Sequence, residues 1–336
     1  MNRSNESAVE DPPMENIYCT QQSVLAVLSI VVMTIVMIAT LFGNTLILVT
    51  LRRFSSHFKG NMFTFIGSLA VADIFMVLTM GLQIIKMSSR FSGMTFSGYL
   101  CATKGALAGI SVICSGLTLI FMSLDRFCAV VFPIRHLLRN RRNPRRAKLI
   151  VAGIWIVSIS LALTSASFYF RNLGNSCIIG EIVPRTINIT LAVFLVFQSI
   201  FNLILFAIVL WKIKSQPGMN EPTSSRDRIN KRQNEIKLDK AKLMARVYVV
   251  FAVCWTPFIT FSLLTESTSS PDTRQKYVCA REYSVLLGCI NSGLNWMIYG
   301  LANKRFRQGF KEILCFSRSQ GTRLHLFSLT SSGRDV

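Results

Sequence analysis

Charge, histidine and buried ionisable residues are all scarce in this chain, and each shortage excludes something. Only 16% of the 336 residues are charged, against about 25% in an ordinary soluble domain. The three histidines, His57, His136 and His325, all fall in polar connecting segments with no carboxylate cluster, so no catalytic metal site is expected. No nucleophile is paired with a base, which argues against an enzyme. Internal repeats and multiple intramembrane charges, the marks of a transporter or channel, are missing too, because Asp73 stands alone in its apolar run. The first 22 residues are polar and hold no apolar h-region, so no cleaved signal peptide is expected and the first apolar run acts as its own insertion signal.

Apolar length is what the chain has in abundance. Hydrophobic residues make up 51% of it and mean hydropathy is +0.44. They gather in seven runs with one charge or none, at about 23–51, 62–85, 105–124, 149–170, 186–211, 247–265 and 283–302. Each approaches the roughly 20 residues needed to cross a bilayer as a helix. In lipid, backbone groups must bond within their own segment, so seven such runs predict a seven-helix bundle.

Net charge is +21, which by itself would admit a nucleic-acid partner. Its placement argues for no nucleic acid. With residues 1–22 outside, 28 of the 37 Lys and Arg residues fall on alternate, cytoplasmic segments. That asymmetry orients the N-terminus out and the C-terminus in, at the plasma membrane, with the basic loops facing anionic membrane lipids. Asn2 and Asn5 begin external glycosylation sequons. Cys101, Cys177, Cys19 and Cys279 are external, in the oxidising compartment, and spacing alone leaves the status of Cys19 and Cys279 open. Cys315 follows an amphipathic basic segment and is an expected palmitoylation site. The expected organisation is an extracellular tail at 1–22, a seven-span domain at 23–302, an amphipathic helix at 303–316 and a cytoplasmic tail at 317–336.

Several stretches carry more than hydropathy. The third run ends at Ser123-Leu124-Asp125-Arg126-Phe127. An Arg there is ordinarily an interfacial anchor, but the adjacent Asp adds desolvation cost and holds it locally. Asp73 lies mid-membrane, where an acid is expensive and points to a functional site. The sixth run holds Cys254-Trp255-Thr256-Pro257, and Pro257 is the one proline inside any run. The seventh holds Asn291-Ser292 and Asn295-Trp296-Met297-Ile298-Tyr299. Arg226 to Arg246 reads as a charged cytoplasmic extension of the sixth helix.

Together these residues resemble the rhodopsin-like (class A) G-protein-coupled receptors over roughly residues 24–316. Asn44, Leu69-Ala70 with Asp73, Asp125-Arg126-Phe127, Trp155, Cys254-Trp255 with Pro257, Asn295 with Tyr299, and Phe306 stand in the family's order. The resemblance implies an all-α membrane protein, a seven-transmembrane helix bundle with a short amphipathic eighth helix. It also implies an extracellular ligand and activation of heterotrimeric G proteins by promoting GDP release, with arrestin and receptor kinase as further partners. Asp125, Arg126, Phe127, Trp255, Pro257, Asn295 and Tyr299 would carry activation and coupling. Asn44, Asp73, Ser115, Asn291 and Asn295 would form a polar pocket for an allosteric sodium ion, with no other cofactor expected. A Cys101–Cys177 disulfide is implied as well. By depth in their spans, Lys104, Ala108, Val112, Gln198, Val285 and Cys289 are the expected ligand-pocket lining.

Departures from the family pattern set further expectations. Phe127 stands where the family usually has Tyr, and Trp296 where it has Pro. Lys237 stands where many members carry an acid facing Arg126, so Asp125 is expected to be the main restraint on Arg126. Ala108 replaces the acid of amine receptors, and the seventh run holds no Lys for retinal. The basic outer rim, with Lys86, Arg90, Lys104, Arg171, Arg185 and Arg281, suits an acidic peptide or lipid. The alternative is a weakly coupling, constitutively active or decoy and scaffold receptor.

Overall fold

The computed structural model describes residues 23–315, apart from 59, 95, 144, 172–184 and 216–224. The expected tails at 1–22 and 317–336, with Asn2, Asn5 and Cys19, lie outside the described residues, as does Cys177. Described residues form α1 (Ser23–Arg53), α2 (Asn61–Ser92), α3 (Gly98–Val131), α4 (Pro133–Arg142), α5 (Arg146–Arg171), α6 (Arg185–Lys214), α7 (Ser225–Ser267), α8 (Pro271–Ala302) and α9 (Lys304–Leu314). Seven of these, all but α4 and α9, are long and apolar enough to cross a membrane.

The helices close into a ring. α1 packs on α2 and α8, α8 on α7, and α7 on α6, while α3 touches α2, α5, α6 and α7 and so occupies the centre. Side chains from α1, α2, α3, α6, α7 and α8 share one apolar core, with Met80, Met122, Leu195, Met244 and Tyr299 almost fully buried. Outward faces keep large apolar residues exposed, including Ile35, Leu78, Ile156, Phe197 and Val253. Lipid tails replace water there, so that exposure carries no penalty.

Several helices run past their apolar cores. α8 starts at Pro271, about a dozen residues before the uncharged run, with Pro at its first turn and Asp272 beside it. Proline is pre-organised for that position and an acid there complements the helix dipole. α2 continues to Ser92 and stops where Gly93 takes φ 67°, a left-handed cap that glycine adopts without strain. Ser97 caps α3, accepting from the Tyr99 backbone N–H. These extensions place Lys86, Lys104, Arg281 and Glu282 on helices rather than on rim loops. The basic segment after α3, read as loop, folds as α4 because Pro133 opens a helix that its Leu, Ile and Arg residues continue. α7 is one helix from its charged N-terminal end through Pro257.

Candidate functional site

At the inner end of α3, the Asp125 carboxylate is a hub. One oxygen pairs with the Arg126 guanidinium. The other accepts from Asn61 Nδ2 of α2 at 2.8 Å and lies 3.0 Å from His136 Nε2 of α4. Asn61 also donates to Asn140 Oδ1 at 3.3 Å, tying α2 to α4. Asp125 therefore does hold Arg126, but it is held in turn by two residues that the family pattern did not single out. An i, i+11 spacing across a break at Phe132 gives no periodic signal for the His136 contact. Lys240 of α7 lies within electrostatic reach of Arg126 and Arg305. Lys237 Nζ donates to Asn234 Oδ1 within its own helix at 3.4 Å.

Phe127 explains its missing hydroxyl. Its ring packs against Val130, Val209, Ile213 and Ala241, an apolar seam between α3, α6 and α7, with Phe132 edge-on at 6.2 Å. A phenolic oxygen there would need a hydrogen-bond partner.

Mid-bundle, Asp73 is 1% exposed and accepts from Asn295 Nδ2 at 2.7 Å. Ser292, not among the expected members, lies beside the Asp73 carboxyl. Asn44 Nδ2 donates to the Ser292 carbonyl at 3.2 Å and to Thr40 at 2.9 Å, linking α1 to α8. Ser115 is buried on α3 beside Cys114, which is within electrostatic range of Asp73. The side-chain oxygens of Asn44, Asn291 and Asn295 are buried and accept no hydrogen bond among the described residues. Of these, Asn295 touches the Asp73 carboxylate directly, and Asn44 joins the same stretch of α8 through the Ser292 carbonyl.

Below this, Tyr299 is 1% exposed and stacks on Phe306 of α9 at 5.5 Å. Phe306 also meets Phe58 and Phe310, pinning α9 against α1 and α8. Trp296 lies edge-on to Phe42 at 5.9 Å, against Gly43 of α1. A Cβ on Gly43 would stand 1.9 Å from Trp296 Cδ1, so the Trp exists only because α1 offers a glycine there.

Above Trp255 a cavity of about 180 Å³ opens between α2, α3, α5, α6, α7 and α8. Trp255 is buried on its floor, edge-on to Phe258 at 5.7 Å, and its six-membered ring fills the notch left by Gly288. Lys104, Ala108, Val112, Val285 and Cys289 line the cavity. Gln198 does not. It is fully buried lower down, its amide seated where a Cβ on Gly116 would be 2.4 Å away. The glycine lets α3 approach α6, and the Gln fills the gap, while Leu195 and Leu191, on the turns above it, face the cavity. Arg281 and Glu282, expected at the outer rim, line the cavity wall instead. Glu282 bonds Lys86 Nζ at 3.1 Å and is within electrostatic reach of Lys104 and Arg281. Lys104 Nζ donates to Gln83 Oε1 at 2.7 Å. Cys101 and Cys279 are both disulfide-bonded.

A buried polar seam joins α3, α6 and α7. Ser123 of α3 donates to Asn202 Oδ1 of α6 at 2.6 Å, and Tyr248 of α7 donates to the Ser199 carbonyl of α6 at 2.6 Å. Residues 43–299 match the family model of the 7 transmembrane receptor (rhodopsin family). Among curated relatives, the bovine (Bos taurus) somatostatin receptor type 5 is 29% identical over 290 residues, covering 83% of this chain and 74% of that receptor. Somatostatin receptor type 4 of Rattus norvegicus is 28% identical over 287 residues, covering 84% and 71%, and type 2 of Mus musculus is 27% identical over 313, covering 86% and 77%. This chain belongs to the rhodopsin family of seven-transmembrane receptors, multi-pass membrane proteins that signal without enzymatic chemistry of their own.

Proposed function

We propose that this receptor binds an extracellular ligand carrying negative charge, an acidic peptide or lipid, in the cavity above Trp255. It then promotes GDP release from a heterotrimeric G protein at its inner face. The Asp125–Arg126 pair carries this reading: an ion pair at the inner end of the central helix, braced by Asn61 and His136. Outward movement of the α7 inner end about Pro257 would open a space floored by Arg126, because proline removes the backbone bond that stiffens the helix there. Arg126 offers a planar fork to carbonyls of the partner's helix. Basic residues on α4 and α7, among them Arg139, Arg141, Lys237 and Lys240, would steer an acidic partner surface. Arrestin and receptor kinase are expected to use the same face.

Ligand acts only through its different affinity for the closed and open bundles. A sodium ion at Asp73, with oxygens of Asn295, Asn291, Asn44 and Ser115 nearby, would favour the closed one. Charge asymmetry supports an external N-terminus and an internal C-terminus. Nucleotide exchange by purified G protein with reconstituted receptor tests the coupling step. Arg126→Ala should abolish receptor-dependent exchange while surface expression persists, and single neutralisations of Arg139 or Lys240 should only weaken it. Full exchange by well-expressed Arg126→Ala would sink this mechanism and favour a decoy or scaffold role.

A further inference from the structure

α4 is tied down on one face and bare on the other. His136 and Asn140, one turn apart, look toward the bundle: His136 Nε2 lies 3.0 Å from Asp125 Oδ1, and Asn140 Oδ1 accepts from Asn61 at 3.3 Å. At helical spacing the opposite face carries Ile134 and Leu138, with Leu137 on its flank. These three side chains are 73%, 59% and 55% exposed. Arg135, Arg139 and Arg142, spaced i, i+4 and i+7, run along one edge of that stripe and are exposed as well. Between Phe132 and Leu149 there are seven Lys and Arg residues and no acid.

No residue of α4 is buried, and a helix of ten residues is marginal in water on its own. α3 ends at Val131 and α5 starts at Arg146, and both are long and apolar enough to cross the membrane. α4, about 15 Å long, is therefore tethered at both ends to the bilayer boundary. Phe132 before it and Leu149 after it are exposed too, so apolar surface continues from α4 to the ends of both crossing helices. A helix held at that boundary, aliphatic on one face and lined with arginines, has the make-up of one that lies on an anionic bilayer surface. The core of a protein–protein contact is instead depleted of charge. We propose that α4 docks on the inner leaflet, with Ile134, Leu137 and Leu138 entering the acyl boundary and Arg135, Arg139 and Arg142 meeting the phosphates of anionic lipid. The docked helix keeps His136 on Asp125, so leaflet charge adds to the hold on Arg126. That consequence rests on Asp125 restraining Arg126, and the docking does not.

The full-length receptor is placed in nanodiscs of phosphatidylcholine alone and of equal parts phosphatidylcholine and phosphatidylserine. Backbone hydrogen exchange of α4 is then followed by mass spectrometry. One basic side chain at an anionic surface strengthens binding about fivefold, so three arginines should slow hydrogen exchange of α4 at least about tenfold in the mixed discs. High salt should remove most of that difference, because it screens exposed charge. The variant Leu137→Ser with Leu138→Ser should exchange faster than wild type in both lipids. The variant Arg135→Gln with Arg139→Gln and Arg142→Gln should exchange at the same rate in the two. Both variants change exposed side chains, and the lipid comparison on the unaltered receptor decides the matter even if either fails to fold. Equal hydrogen exchange of wild-type α4 in the two lipids would overturn the proposal. Slowing that appears only when purified G protein is added would overturn it too, and would assign the apolar stripe to that partner. Unchanged basal nucleotide exchange in His136→Ala and Asn61→Ala would remove the consequence for Arg126 and leave the docking standing.

Discussion

Gly43→Ala tests the strangest local packing in the bundle. The added Cβ would lie 1.9 Å from Trp296 Cδ1, 2.1 Å from Cγ and 2.6 Å from Nε1. Carbon atoms rest about 3.5–4.0 Å apart, so the overlap cannot be absorbed by a small shift. The ring is edge-on to Phe42 on one side and belongs to a packed helix on the other. Either α1 and α8 separate, or the indole leaves its notch. Overpacking of this kind costs about 1–3 kcal/mol. At roughly 2–4 °C per kcal/mol, the unfolding temperature of the purified receptor should fall by several degrees. Trp296→Leu alone should also destabilise, by losing ring contacts. The double variant should lose less than the sum of the two, because the smaller side chain makes room for the methyl group. Such a non-additive cycle is the signature of direct contact. If Gly43→Ala unfolds at the wild-type temperature, or if the two losses simply add, the Trp296–Gly43 packing described here is wrong.

Asn61→Ala and His136→Ala should each raise ligand-free nucleotide exchange, since each loosens the grip of Asp125 on Arg126. Unchanged basal exchange in both would mean that the hub does not restrain coupling. Ligand affinity should respond to sodium but not choline salts in the wild type, and Asp73→Asn should remove that response. A sodium-insensitive wild type would count against an ion at Asp73. Tyr248→Phe removes a 2.6 Å bond to the Ser199 carbonyl and should cost about 0.5–1.5 kcal/mol, read as a lower unfolding temperature. A neutral result would assign Tyr248 to packing alone. Peptide mapping without reduction should pair Cys101 with Cys177 and Cys279 with Cys19, and a different pairing would redraw the outer face.

Much of the architecture is legible along the chain because it depends on local quantities. Seven apolar runs define the seven crossings, whatever each helix packs against, since lipid demands self-satisfied backbone. The charge asymmetry of the connecting segments, likewise a local quantity, is what predicts the inner side. Asp73, Asp125 and Arg126 stand out because their side chains are expensive where they lie, and a costly residue is visible without knowing its neighbours.

What answers those residues is not visible in that way. Arg281 and Glu282 read as rim charges because they precede an uncharged run, yet α8 begins earlier, and its rotation turns both into the cavity. Gln198 is expected in the cavity by span depth, but it lies a turn below, its amide seated against the bare backbone of Gly116. His136 and Asn61 are ordinary polar residues in sequence, and they become partners of Asp125 only when distant helices meet. The sequence by itself determined the number of spans and the identity of the costly residues, both properties of one segment in its solvent. Tertiary structure alone decided which face of each helix looks inward and which side chains share a cavity. Those depend on helix rotation and on close approaches at glycines such as Gly43, Gly116 and Gly288, which are set by two helices at once.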